Sequence, residues 1–437
     1  ANADSKTYGD VKTYGAGSTA FTPVGLVNNE TIGSVTLAVS NSGNLATAAV
    51  GGTYTLTPSA ATGGTFTTSN YSITYATGAL TVNQKALTIT ANADSKTYGD
   101  VKSYGAGSTA FTPVGLVNNE TIGSVTITDT NSGGVATAAA GGTYALTPSA
   151  ATGGTFTTSN YSITYATGAL TVNQKALTIT ANADSKTYGD VKTYGAGSTA
   201  FTPVGLVNNE TIGSVTLAVS NSGNLATAAV GGTYTLTPSA ATGGTFTTSN
   251  YSITYATGAL TVNQKALAIV AADQSTTYGT ALLLGTNNTG ATRYTVTGLV
   301  NSDAVSAVDL KYSGSATVAG TVSANTYTNG IVASNATGTG LSNYSISYTP
   351  ATLTVNQKAL TITANADSKT YGDVKTYGAG STAFTPVGLV NNETIGSVTL
   401  AVSNSGNLAT AAVGGTYTLT PSAATGGTFT TSNYSIT

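Results

Sequence analysis

The feature that most limits what this chain can fold into is its self-similarity at a period near 90 residues. The string that opens at Ala1 and runs through Tyr8, Gly9 and Asp10 returns at Ala91, Ala181 and Ala364, and a diverged version opens at Ala271. Copies one and three agree through Leu87 and Leu267, then part where Thr88 and Thr90 are replaced by Ala268 and Val270. A chain of 437 residues is too long for one hydrophobic core, so several domains are expected.

Within a copy the apolar period is two. Val35, Leu37 and Val39 alternate with Thr36, Ala38 and Ser40, and Tyr54 and Leu56 alternate with Thr53, Thr55 and Thr57. Thr, Val, Ile and Tyr favour strands, while glycines such as Gly15, Gly33, Gly43, Gly63 and Gly78 fall at turn-like intervals. No segment reads as a helix, although Gly25 to Ile32 has room for one short turn. Roughly six to eight short strands per copy predict an all-β chain, a tandem array of immunoglobulin-like β-sandwich domains forming an elongated rod. A β-grasp-like unit is the alternative fold.

The runs Tyr71–Tyr75 and Leu80–Val82, with Ala76 to Ala79 between them, read as a hairpin. Asn83-Gln84-Lys85 follows, before the new run Leu87–Thr90, and the tripeptide recurs at Asn173, Asn263 and Asn356. These are expected to be interdomain joints, too short for much slack. The predicted domains are 1–84 (first strand missing), 85–174, 175–264, a divergent 265–357, and 358–437 (last hairpin missing). On that reading the sequence is a window on a longer array.

Composition narrows the chemistry. Cysteine, methionine, tryptophan and histidine are absent, which removes disulfides, Cys/His zinc sites and a histidine base. Only 7% of residues are charged and the formal balance is −2, so there is no basic surface for nucleic acid. No apolar run approaches the roughly 20 residues that span a bilayer.

The fourth copy has diverged while remaining in the array. It keeps Tyr278-Gly279, Gly298-Leu299, Asn343-Tyr344 and Gln357-Lys358, and holds Asp303 where copy one has Glu30. Asp4, Lys6, Asp10 and Lys12 become Gln274, Thr276, Thr280 and Leu282. A chemistry performed by every copy through those charges is therefore disfavoured.

Tyr8-Gly9-Asp10, Gly25-Leu26 with its acidic turn, the Gly51-Gly52-Thr53-Tyr54 run, and Asn70-Tyr71 through Val82 together resemble the MBG domain with the Tyr-Gly signature. The resemblance covers all five copies. It implies tandem repeats of very large bacterial surface and secreted proteins, including filamentous-haemagglutinin-like adhesins, and hence a stalk or matrix role with no catalytic residues to carry over.

Each candidate site also has a plainer reading. Asp4, Asp10 and Glu30 suggest paired carboxylates or calcium ligands, but without a dense Asp/Asn run they read as turn and solvent-facing residues. Lys6 and Lys12 suggest a Lys–Asn isopeptide crosslink, yet neither survives in copy four and both read as surface lysines. Lys85 is kept and reads as a charge that solvates an edge. Tyr54, Tyr71 and Tyr75 read as core with hydroxyls at the rim, while Tyr8 and Tyr14 are left open between core and exposed row. The Thr53–Thr57 alternation would suit an ice-binding ladder only at a much shorter period, and it reads as a half-exposed strand. The sequons at Asn29 and Asn70 carry little weight. The expected catalytic, cofactor-binding and metal residues are accordingly none.

The function expected is that of a non-enzymatic stalk or shaft of a bacterial cell-surface adhesin or extracellular filament. The alternative is a repetitive, weak glycan- or surface-binding module acting by avidity. Expected partners are neighbouring repeats of the same chain, like chains in a fibre, or a glycan or host surface, and the expected location is extracellular or at the cell surface.

Overall fold

The computed structural model describes residues 1–289 and 292–437. Two compact units are present, one made of Ala1–Ala181, Ala196–Leu217 and Pro238–Ala256, the other of Asn182–Gly195, Ala218–Thr237 and Thr257–Thr437. Both are built from tandem β-sandwiches, and among the described residues the only helical elements are short 3-10 turns.

Copy two, in the first unit, shows the complete arrangement. Its strands are β1 (Lys85–Ala91), β2 (Asp94–Thr97), β3 (Phe111–Val114), β4 (Ile122–Asp129), β5 (Tyr144–Gly154), β6 (Tyr161–Ala166) and β7 (Gly168–Asn173). One sheet has the order β6-β1-β3 and the other β2-β7-β5-β4. Alternation places Leu87, Ile89 and Ala91 of β1 inward against Val125 and Ile127 of β4, Leu146 of β5 and Leu170 of β7. Full burial of each large aliphatic contributes about 1.5–3 kcal/mol.

Two ladders are parallel, which alternation alone does not disclose. β6 runs parallel to β1 from Tyr161 opposite Lys85 to Ala166 opposite Thr90. β7 runs parallel to β2 from Leu170 opposite Asp94 to Asn173 opposite Thr97. The chain therefore passes between the sheets five times, and two of these crossings, from β1 to β2 and from β6 to β7, are made by only two residues and one. The expected hairpin over the counterparts of Tyr71–Val82 is corrected here: those strands lie in different sheets. Thr167 alone separates them, fewer residues than the two that a tight hairpin loop needs. The two crossings stack, since a Cβ on Gly168 would lie 2.4 Å from the Ala91 carbonyl oxygen.

The short turn expected over Gly25–Ile32 is not helical either. In copy two Asn118 and Asn119 have φ of 54° and 55°, and Glu120 N–H donates to Val117 O at 3.0 Å. This is a tight β-turn of the kind asparagine tolerates.

The first and last copies differ from copy two. Copy one has no counterpart of β1 within the sequence, and its Phe21–Val24 and Tyr71–Ala76 form no strands, although their counterparts β3 and β6 do. The central strand thus templates both neighbours in that sheet. In the second unit, copy four repeats both sheets around Lys265–Ala271 and Asn325–Thr339 and adds a small ladder of Leu282–Leu283 with Thr317–Val318. Copy five has no counterpart of β7, and Asp367–Thr370, the counterpart of β2, stays irregular.

Candidate functional site: the joint between copies

Alternation along Asp94–Thr97 sends Lys96 inward, and Tyr98 follows on the same face; both are buried. Lys6, Lys96 and Lys186 are each 4% exposed, which corrects the surface reading of Lys6. The Lys6 Nζ donates to Asp10 O at 2.8 Å and to Leu45 O, so two turn carbonyls hold it and no asparagine partner is involved. Burial holds the pKa of these three lysines below the ordinary range. In copy four Thr276 Oγ1 donates to Thr280 O at 2.9 Å, taking over one of the two carbonyls without a charge. Replacing Lys96 by threonine is therefore expected to cost only about 1 kcal/mol in chemical denaturation.

Asp4 is not a free carboxylate. Lys12 Nζ lies 2.5 Å from Oδ1, Ser5 N–H donates to Oδ1 at 2.7 Å and Tyr14 OH donates to Oδ2 at 2.9 Å. Burial pushes this carboxyl up, but the hydrogen bonds from Lys12, Tyr14 and Ser5 outweigh it and hold the pKa below 3.8. Copy four replaces the group with Leu282 and the fully buried Leu284, so the charges serve local packing. Asp10 accepts from Thr7 N–H at 3.2 Å and closes an exposed turn. Tyr54 donates to Ala49 O at 3.1 Å, and Gly43 and Gly52 lie against its ring.

Glu30, Tyr8 and Tyr71 define the recurrent constellation, but only across copies. Tyr8 of copy one donates to Glu120 Oε1 of copy two at 2.6 Å, 112 residues away, and Tyr161 donates to the other oxygen, Oε2. The Tyr8 and Tyr161 rings meet edge to face, with centroids 5.5 Å apart and planes at 80°. Gly9, at φ +93°, sits so close to copy two that a Cβ would fall 2.8 Å from the Val117 γ-carbons. Asn118 Nδ2 donates to Ala46 O at 3.2 Å, Val50 N–H donates to the buried Asn160 Oδ1 at 2.9 Å, and Gln84 Nε2 donates to Ser159 O at 3.1 Å. One cluster of buried side chains runs from Leu56 and Val82 through Tyr8 and Tyr161 to Leu87 and Ile89. The solvent-facing reading of the Glu30 position is thereby corrected: Glu120 is half-buried and accepts from two copies at once.

The same set returns at every junction. Tyr98 donates to Glu210 at 2.7 Å and meets the Tyr251 ring at 5.5 Å, with Gly99 against Val207. In the second unit Tyr188 and Tyr344 both donate to Oδ2 of the shorter Asp303, at 2.9 and 2.8 Å. Tyr278 and Tyr434 share Glu393, with Gly279 against Val390. Asn250, Asn343 and Asn433 repeat the acceptor role of Asn160.

Burial and the hydrogen bond to Glu120, Glu210 or Glu393 push the phenols of Tyr161, Tyr251 and Tyr434 up to about 12 from an ordinary 10.0. Unfolded phenols ionise first, so the stability these groups supply is fully present below pH 10 and is lost as pH rises toward 12. The buried lysines act in the opposite sense, since the cost of holding them charged is relieved as pH approaches 10.5. With more phenols than lysines shifted, urea midpoints are expected to hold level to pH 9 and to fall between pH 10 and 12. A midpoint rising through that window would contradict this balance.

A tandem-repeat, all-β structural module is what these sandwiches and their joints define. The chain belongs to the MBG domain (YGX type) family, whose sequence model matches residues 87–171, 177–261 and 267–354. The Tyr-Gly of that signature is the pair at each joint. No curated protein matches the chain. Among solved structures it is similar to Drosophila N-cadherin EC1-4 at 11% identity, covering 81% of this chain and 98% of that one, with a TM-score of 0.20. It is also similar to the I9-I11 tandem from titin (8% identity, 60% and 96% covered, TM-score 0.16) and to the Bacillus anthracis TIE protein (7%, 92% and 74%, TM-score 0.18). Similarities this remote carry no functional information. Among the described residues no helix is long and apolar enough to cross a membrane.

Proposed function

We propose that the array is a spacer, the stalk or shaft of a bacterial cell-surface adhesin or extracellular filament, with no catalytic, cofactor or metal site in its role. The observation that carries this reading is the return of one closed joint at four successive junctions. Nearest-neighbour docking of like units gives length and limited flexing from little sequence information, which is what a shaft requires. We place the unit boundaries at the joint tripeptides, giving 1–84, 85–174, 175–264, 265–357 and 358–437. Gln84, Gln174, Gln264 and Gln357, which donate across the four junctions, support that division.

A glycan-binding module would need an exposed tyrosine row, and the tyrosines at the joints are 2–4% exposed. A compact globule of this length has a radius of gyration of about 22 Å. Small-angle scattering is expected to give a much larger value and an extended-particle profile, and a value near the globular one would overturn the spacer. Antibody labelling of intact producing cells tests the location, with labelling only after permeabilisation excluding a surface role.

A further inference from the structure

We propose that the four joints are sites of oxidative tyrosine coupling, at which a dityrosine bond ties each copy covalently to the next. The pairs are Tyr8 with Tyr161, Tyr98 with Tyr251, Tyr188 with Tyr344, and Tyr278 with Tyr434, with ring centroids 5.5 to 5.6 Å apart. Each is edge to face, and the shared carboxylate draws the two hydroxyl ends of the rings together. Both hydroxyls of a pair donate to one carboxylate.

That carboxylate matters because a phenol gives up its electron readily only when its proton leaves at the same time. A hydrogen-bonded acceptor takes the proton without diffusion. The composition removes the competitors, since the chain has 25 tyrosines and no cysteine, methionine, tryptophan or histidine. One-electron oxidation therefore falls on tyrosine, and an electron hole moving among the rings meets a preformed pair at each junction.

The step balances with a peroxidase and hydrogen peroxide as the oxidant. Each phenol loses one electron and its hydroxyl proton, the latter through the shared carboxylate. The two radicals join ortho carbon to ortho carbon, and the ring hydrogens at those carbons shift to the oxygens to restore two phenols. Two electrons and two protons leave per bond, and one peroxide is reduced to two waters. The inference stands apart from the spacer reading, because it concerns the contact and not what the array supports.

The test uses the full chain, dilute, with a peroxidase and hydrogen peroxide, followed by tryptic digestion and mass spectrometry. The peptide from Ala266 to Arg293 is unique in sequence and has Tyr278 as its one tyrosine, so the junction with copy five is read without ambiguity. The expected product joins it to the peptide Thr376–Thr437, two hydrogens lighter than the sum, with fragmentation placing the bond at Tyr434 and not at Tyr377 or Tyr417, and this product is lost in urea. Tyr278→Phe is expected to abolish it, and Glu393→Gln, which keeps both rings, to lower its yield roughly tenfold. Coupling that instead follows exposure, through Tyr371 at 64% or Tyr75 at 37% and between chains, would overturn the proposal. So would a yield unchanged by Glu393→Gln in a chain that circular dichroism shows to be folded.

Discussion

Valine in place of Gly99 is expected to cost about 2–5 kcal/mol and to uncouple copy two from copy three. Gly99 has φ +91°, where an L side chain costs about 1–2 kcal/mol and a β-branched one more. Its Cβ would also meet the Val207 side chain at 2.8 Å, an overpacking worth about 1–3 kcal/mol. The turn has little freedom to move away, because Gly99 N–H donates to Ala136 O at 3.1 Å. The chain supplies its own control. Gly372 of copy five holds the same signature position at φ +96° with nothing within 4 Å, so Gly372→Val meets the backbone strain without the clash. Urea unfolding should show the larger loss for Gly99→Val, together with a separate early transition as the joint opens. Equal losses for the two variants would mean that the close approach of the next copy contributes nothing.

Much of the sandwich was readable from alternation. Val35 and Leu37 are 3% and 2% exposed, and Tyr54 and the counterparts of Tyr71 are buried as expected, whereas the core reading of Tyr75 is corrected: it is 37% exposed and accepts from Ala61 N–H at 2.9 Å. The crossing between β6 and β7 was not readable, because a period of two is the same whether a strand turns back on its neighbour or passes to the opposite sheet. The buried lysine had a signal: Lys6 stands two residues before Tyr8 and so shares its face, but the general exposure of lysine outweighed the spacing. The joint was hidden for a different reason. Tyr8 and Glu120 are 112 residues apart, farther than one repeat, so comparison of copies aligns Tyr8 with Tyr98 and never pairs it with an acid. Copy four held the clue, since it sheds Asp4, Lys6, Asp10 and Lys12 but keeps an acid at the Glu30 position beside Tyr278-Gly279 and Tyr344. An acid kept in register where the acids at the Asp4 and Asp10 positions are lost marks a charge with a partner.

The largest graded effect is expected at Glu210. Glu210→Ala leaves the hydroxyls of Tyr98 and Tyr251 without their acceptor in a site where both rings are 3% exposed. Each orphaned buried donor costs about 1–3 kcal/mol, so a loss of about 2–4 kcal/mol is expected, moderated by whatever water reaches the gap. Glu210→Asp should cost less than about 1 kcal/mol. Copy four already uses Asp303 there, and the shorter acid accepts both phenols on one oxygen at 2.9 and 2.8 Å. Glu210→Gln should fall between them, because the amide keeps one accepting oxygen and turns an N–H toward the second phenol. Glu30 provides the contrast: among the described residues its carboxylate accepts from Tyr71 alone, so Glu30→Ala should lose roughly half as much as Glu210→Ala. Denaturation of the four variants, with scattering in the native buffer, separates two descriptions of the joint. If the carboxylate couples the copies, stability falls in the order Asp, Gln, Ala and the Ala variant bends more freely in solution. If the copies merely touch, the three Glu210 variants unfold alike and the scattering profile does not change.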